Sequence, residues 1–370
     1  MATVNGRVCV TGAGGFLASW VVKLLLSKDY AVRGTVRQLG DEKYAHLNKL
    51  EKASENLKLL KADLLDYDSL CSAIEGCDSV FHVASPVPST TVPNPEVELI
   101  EPAVKGTLTV LKACLDAKVK RVVVVSSEAA VSFNPRLPEG QIKDEACWSD
   151  KEYCRTIKNW YFVSKTEAES EALEFAKRTG LDVVTVCPTT IWGPLLQPTI
   201  NASSKHLIKV LTALLGRRGG IKGIDIREVL VYDKILSLKS FNLRGWYLPY
   251  GQIFSILSYC SCGLPLVLTK NKLRNIVDVR DVAEALLLAY EKPEAEGRYI
   301  CTAHRFRMHN LVDKLRTLYP NYNYPKSFTE GEDGAILSIE KLQRLGWQYR
   351  PLEETLVDSI ESYKNAGILC

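Results

Sequence analysis

Short apolar runs alternate with amphipathic stretches over residues 7–194. The runs at 7–11, 30–36, 57–60, 79–83, 121–126 and 181–187 read as strands. The stretches at 20–27, 98–117 and 166–179 carry apolar residues at helical spacing. The fifth run is almost entirely valine, as expected of a strand covered on both faces. Strands alternating with helices predict an α/β fold with a doubly wound parallel sheet. Beyond 194 the pattern loosens. A helix is expected over 201–215, a strand and helix over 275–290 capped by Asp278 or Asp281, a strand over 297–301, and helices over 337–345 and 352–366. These predict a smaller C-terminal substrate lobe over 195–370, with 271–292 packing back on the first domain, 1–194.

Residues 219–270 break the pattern. After Arg244 no charge follows until Lys270, while Gly245, Pro249, Gly251, Gly263 and Pro265 interrupt any helix, which argues against a membrane span. The abrupt change of composition reads as an anomalous insertion, a retained intron or gene-model error being its expected origin.

Composition changes the picture little. The chain has 370 residues, 46% apolar and 24% charged, with a net charge of +4. That is ordinary for a globular protein, and no Lys/Arg block points to nucleic acid. Residues 1–6 carry no apolar leader, so a cytoplasmic location with reduced thiols is expected for the eleven cysteines, Cys147 and Cys154 forming a free pair. Oligomeric state is not legible.

The first strand runs into Thr11-Gly12-Ala13-Gly14-Gly15-Phe16-Leu17-Ala18, followed by a helix and a second strand. Glycines at such a turn let the backbone approach a pyrophosphate, and the helix N-terminus supplies amide donors. This is a Rossmann nucleotide site. An acidic residue ending the second strand would bind the ribose of NAD. Here the strand ends Gly34-Thr35-Val36-Arg37, with Lys43 beyond, which favours the 2′-phosphate of NADPH. The fourth strand ends at Val83, Ala84 and Ser85, beside the expected dinucleotide, and Thr107 on the following helix is placed toward the cofactor. His82 is read as packing or bonding locally. The fifth strand delivers Ser126 and Ser127 at its C-terminal end, where open α/β sheets bind ligands.

Tyr161 and Lys165 are four residues apart at the start of a helical run, so they share one face. An ammonium there should lower the tyrosine pKa, and a poised phenol can protonate an oxygen as hydride reaches the adjacent carbon.

With these residues the chain resembles the extended short-chain dehydrogenase/reductase superfamily. Within it, the plant cinnamoyl-CoA reductase and dihydroflavonol reductase group is most similar. The resemblance rests on Thr11-Gly12-x-x-Gly15-Phe16-Leu17, Ser126-Ser127, Tyr161-x-x-x-Lys165, Cys187-Pro188 and the run Val277-Asp278-Val279-Arg280-Asp281-Val282-Ala283. It implies that Ser127 binds the substrate oxygen, Tyr161 is the general acid, and Lys165 holds the nicotinamide ribose. It also implies 2′-phosphate contacts from Arg37 and Lys43, adenine contacts from Asp63 and Leu64, and Pro188 beside the nicotinamide. His206, Lys209 and Arg298 fall where the family places contacts to CoA phosphate; they read equally as ordinary surface residues. Asn159-Trp160-Tyr161 matches cinnamoyl-CoA reductases, but Phe162-Val163-Ser164 does not.

The expected function is NADPH-dependent reduction of a small phenylpropanoid carbonyl compound, most simply hydroxycinnamoyl-CoA to the aldehyde. An aldehyde or dihydroflavonol substrate, an NAD-dependent sugar epimerase and an inactive NADPH-binding protein remain as alternatives. No metal is expected.

Overall fold

The computed structural model describes residues 5–87, 92–138, 140–214, 270–321, 324–325, 327–331 and 333–369. Of the segment 219–270 expected to be an insertion, all but Lys270 therefore lies outside the described residues. Two compact units are present, one of residues 1–204, 275–304 and 335–362, the other of residues 205–274, 305–334 and 363–370. The chain thus returns to the first unit twice, where the sequence indicated a single return.

The first unit is built on seven parallel strands: β1 Arg7–Val10, β2 Ala31–Val36, β3 Leu57–Lys61, β4 Ser79–His82, β5 Arg121–Val125, β6 Val183–Pro188 and β7 Gly297–Cys301. Their order is β7-β6-β5-β4-β1-β2-β3. β1 pairs on both sides, Val8 standing opposite Val32 of β2 and Ser79 of β4. The chain moves outward from β1 to β3, then crosses back to β4 on the other side. Loops leaving β1 and β4 therefore diverge to opposite faces and open a crevice at the carboxyl ends of the strands.

Helices cover both faces. On one, α1 (Phe16–Ser27) packs against the later helix Val279–Glu291. On the other, α2 (Tyr67–Ile74), α3 (Glu101–Asp116) and α4 (Trp160–Thr179) lie in sequence, α3 against both its neighbours. Two apolar layers result. One holds Val10, Val22, Leu26, Phe81, Val123 and Leu286, and the other Leu70, Val80, Leu111, Val122 and Ala172. Alternate residues of one strand feed opposite layers, Val122 and Val123 for example, as the pleat requires.

Local signals explain the boundaries. Asp66 caps α2 by accepting from the Ser69 amide at 3.2 Å. Asp278 caps Val279–Glu291, accepting from the Arg280 amide at 2.8 Å. Asp281, the other expected cap, is buried and accepts from the Arg350 amide at 2.9 Å. The helix after the glycine turn begins at Phe16, four residues before the expected start, so no linker separates the loop from the helix N-terminus.

The second unit contains most of α5 (Ala202–Leu214) and α6 (Met308–Leu318). In α6 the buried residues Met308, Leu311, Val312 and Leu315 form one stripe. Strands Lys270–Asn271 and Thr329–Glu330 pair in parallel. Among the described residues no helix is long and apolar enough to cross a membrane, and no cluster suits a metal ion.

Leu286 is fully buried between the sheet and α1. Leu286→Ala is expected to cost about 2–5 kcal/mol of stability, measured by urea denaturation.

Candidate active site

The glycine turn is held by its neighbours' backbone. The Thr11 amide donates to Phe81 O at 3.0 Å and the Ala13 amide to Thr35 O at 2.9 Å. The Gly12 amide donates to Thr35 Oγ1 at 2.9 Å. Gly12 has φ +66°, and a Cβ there would stand 3.0 Å from the Ala84 Cβ, so both conformation and space demand glycine. Gly14 lies under the Tyr44 ring. Gly15 precedes α1, whose first turn carries no acidic side chain. Its exposed amides and dipole therefore favour an anion. Phe16 and Leu17 point into the core, leaving their backbone toward the turn.

A chain of hydrogen bonds fixes the neighbouring strand end. Thr11 Oγ1 accepts from the Val83 and Ala84 amides, both at 3.0 Å. Its single proton is left for His82 Nδ1, also at 3.0 Å. His82 Nε2 then carries the ring proton toward Thr107 Oγ1 at 3.3 Å, and Thr107 donates to Ala103 O at 2.8 Å. His82 is thus a buried, neutral strut, as expected. Thr107 differs from expectation: it is 6% exposed and its hydroxyl is committed to His82 and Ala103, which leaves it no free group for a ligand.

Arg37 directly follows β2 and is exposed, with no ion pair to any described residue. Lys43 pairs with Asp41 at 2.6 Å and lies 4.8 Å from the centre of the Tyr44 ring. His46 Nε2, 2.9 Å from Ser19 Oγ, ties this loop to α1. Asp63 is exposed after β3, its Oδ1 accepting from the Leu65 amide at 2.9 Å, and Leu64 packs on Gly106 of α3. Val83, Ala84 and Ser85 are half-buried.

Ser127 follows β5 and caps a short turn, its Oγ accepting from the Ala129 amide at 3.2 Å. Its hydroxyl faces the Tyr161 phenol and favours the phenolate, and Lys165 follows one turn along α4, 6% exposed. Lys165 also lowers the proton affinity of His82 in β4, so its ammonium lies near the strand end that Thr11 of the glycine turn holds. Pro188 is buried at the tip of β6.

Proton affinities here follow burial more than pairing. The sequence led us to expect a depressed Tyr161 pKa. Instead burial raises it, the nearby Ser127 hydroxyl opposing and the Glu128 charge assisting. Desolvation also draws Lys165 down to about 8, against the opposing pull of Glu169. The Glu128 carboxyl is raised to about 7 by burial. A phenol held protonated in this way suits proton donation rather than abstraction.

Arg298 is not where a phosphate could reach it. It is 6% exposed, its Nε 2.9 Å from Glu169 Oε1, and it donates to the Glu145 and Cys147 carbonyls at 3.0 and 2.7 Å. The Trp148 ring centre lies 3.5 Å from its guanidinium carbon. Its CoA role is therefore withdrawn, and it is not the surface residue that the other reading made it, because its partner Glu169 lies 129 residues away in sequence. His206 lies half-buried on α5, and the Lys209 side chain lies outside the described ones. Cys147 and Cys154 are both free.

The NAD dependent epimerase/dehydratase family model matches residues 8–301. The chain is 40% identical to cinnamoyl-CoA reductase 1 of Petunia hybrida, over 100% of this chain and 96% of that protein. Its fold is similar to that of vestitone reductase from alfalfa, with 31% identity, a TM-score of 0.73 and 99% and 100% coverage of the two chains. It is also similar to the yeast methylglyoxal/isovaleraldehyde reductase Gre2 complexed with NADPH, at 26% identity and a TM-score of 0.73, covering 98% and 100%. The chain belongs to the NAD dependent epimerase/dehydratase family, the extended short-chain dehydrogenases/reductases. It is an oxidoreductase of the NAD(P)-dependent kind within it.

His82 provides a stability test. Its folded pKa is depressed from 6.5 to about 3 by burial. The unfolded chain therefore binds the extra proton, and stability present above pH 6.5 is lost as pH falls toward 3. Thermal unfolding should show this decline for the wild type and a shallower one for His82→Gln.

Proposed function

We propose that the chain is an NADPH-dependent reductase of phenylpropanoid carbonyl substrates, acting most simply on a hydroxycinnamoyl-CoA thioester. The reading is carried by the Ser127 hydroxyl facing the Tyr161 phenol, with Lys165 one turn beyond and acting on His82, the ring that Thr11 of the glycine turn holds. The turn, the N-terminus of α1, Arg37 and Lys43 match the charge of a phosphorylated dinucleotide, and no acid stands at the β2 tip to favour an unmodified ribose. Bound NADPH supplies the hydride. The Ser127 and Tyr161 hydroxyls bind the substrate oxygen and stabilise the charge that develops there. Tyr161 gives the proton, and Lys165 orients the ribose side of the site. With a thioester, the hemithioacetal so formed collapses to aldehyde and free CoA.

The smaller lobe expected over 195–370 is read as the part of the chain that selects the substrate. An aldehyde or ketone substrate is the second reading. It is favoured by Arg298, because one of the three positions expected to meet CoA phosphate is occupied internally.

Two measurements test the proposal. Tyr161→Phe should lower turnover of feruloyl-CoA or an aromatic aldehyde by about 10²–10⁴, while NADPH binding by fluorescence stays intact. Unchanged turnover would remove Tyr161 from the reaction. Arg37→Ala should weaken NADPH by about tenfold and leave NADH nearly unaffected, since a charge-assisted phosphate contact contributes about 1.5 kcal/mol or more. Equal losses for both nucleotides would contradict the 2′-phosphate assignment.

A further inference from the structure

Glu169 lies on α4 one turn beyond Lys165 and is 1% exposed. Five donors from three strands converge on its carboxylate. Oε2 accepts from Ser126 Oγ of the β5 tip at 2.7 Å and from Arg298 Nη2 at 3.1 Å. Oε1 accepts from Thr185 Oγ1 and Cys187 Sγ of β6, at 2.5 and 3.2 Å, and from Arg298 Nε at 2.9 Å. Arg298 stands on β7 and reaches Ala130 O, three residues past Ser127, at 3.4 Å. Ser126 immediately precedes the serine of the site, and Cys187 immediately precedes Pro188.

Such an arrangement does two things. It fixes the helix carrying Tyr161 and Lys165 to the strand tips that carry Ser127 and Pro188. It also places a negative charge near a buried ammonium that burial would otherwise neutralise. The groups acting on Lys165 come from several elements: Glu169 from its own helix and Cys187 from β6, both favouring its charge. His82 of β4 faces it as a neutral ring. Arg298 of β7 offsets part of the Glu169 charge, and Glu128 after β5 acts on the neighbouring phenol.

We propose that Glu169, anchored by Arg298, is a positioning residue for the reductase centre, holding α4 on the strand tips and keeping Lys165 cationic. This rests on the reductase reading above, and the test separates the two. Lysine labelled with 13C at Cε, assigned through Lys165→Met, reports the Lys165 titration directly and without turnover. In the wild type the midpoint should lie at about 8. Glu169→Gln keeps the shape and loses the charge, so the midpoint should fall by about one pH unit, with the alkaline limb of kcat moving the same way. Glu169→Asp keeps the charge and loses reach, so it should move the midpoint less while lowering kcat by about tenfold, as a small misplacement of reacting groups does. A midpoint unmoved in Glu169→Gln, or moved as far in Glu169→Asp, would overturn the proposal. Should Glu169→Gln not fold because it strands the Arg298 guanidinium, Glu169→Gln with Arg298→Met removes both charges and carries the same expectation of a lowered midpoint. A wild type that reduces no thioester, aldehyde or ketone sinks the reductase reading and leaves the Lys165 titration readable.

Discussion

Between β1 and β4 the chain reverses its direction of travel across the sheet, and this reversal decides where the residues of the proposed site come together. Loops on its two sides leave in opposite directions, opening a crevice at the carboxyl ends of the strands. The glycine turn lines it from β1, and Thr11 and His82 lock that turn to the end of β4. Ser127 arrives from β5, and α4 lays Tyr161 and Lys165 beside it. No one of these residues needs a special local conformation except Gly12. Their convergence is a property of the strand order.

The interior sets the chemistry through desolvation. Tyr161 is raised, Lys165 and His82 are lowered, and Glu128 is brought to about 7, each with burial as the first cause. Paired charge then corrects what burial imposes. Buried ion pairs are weak evidence for stability, because desolvation opposes the attraction. The Glu169–Arg298 pair is better understood by what it connects: one helix, three strands and the loop following Ser127.

Much of this was legible in the residues. The valine run of β5, the glycine turn and the Tyr161–Lys165 spacing each reflect a local rule, and the sheet followed from them. Two of the longer helices went unread although their signals were present. Asp66 and Ser69 mark the start of α2, and Met308, Leu311, Val312 and Leu315 form the stripe of α6. Thr107 and Arg298 failed for another reason. Their partners, His82 and Glu169, lie 25 and 129 residues away in sequence. Whether a polar side chain faces a ligand or a distant buried partner is decided by tertiary packing, which no local pattern encodes. The direction of the Tyr161 shift was misjudged likewise, because burial is a property of the assembled crevice.

A crystal structure of the complex with NADP⁺ tests the central claim most directly. The account predicts the pyrophosphate on the N-terminus of α1, the 2′-phosphate at Arg37, and the nicotinamide ring in contact with Tyr161 and Pro188. A dinucleotide bound with its nicotinamide away from Ser127 and Tyr161 would contradict it.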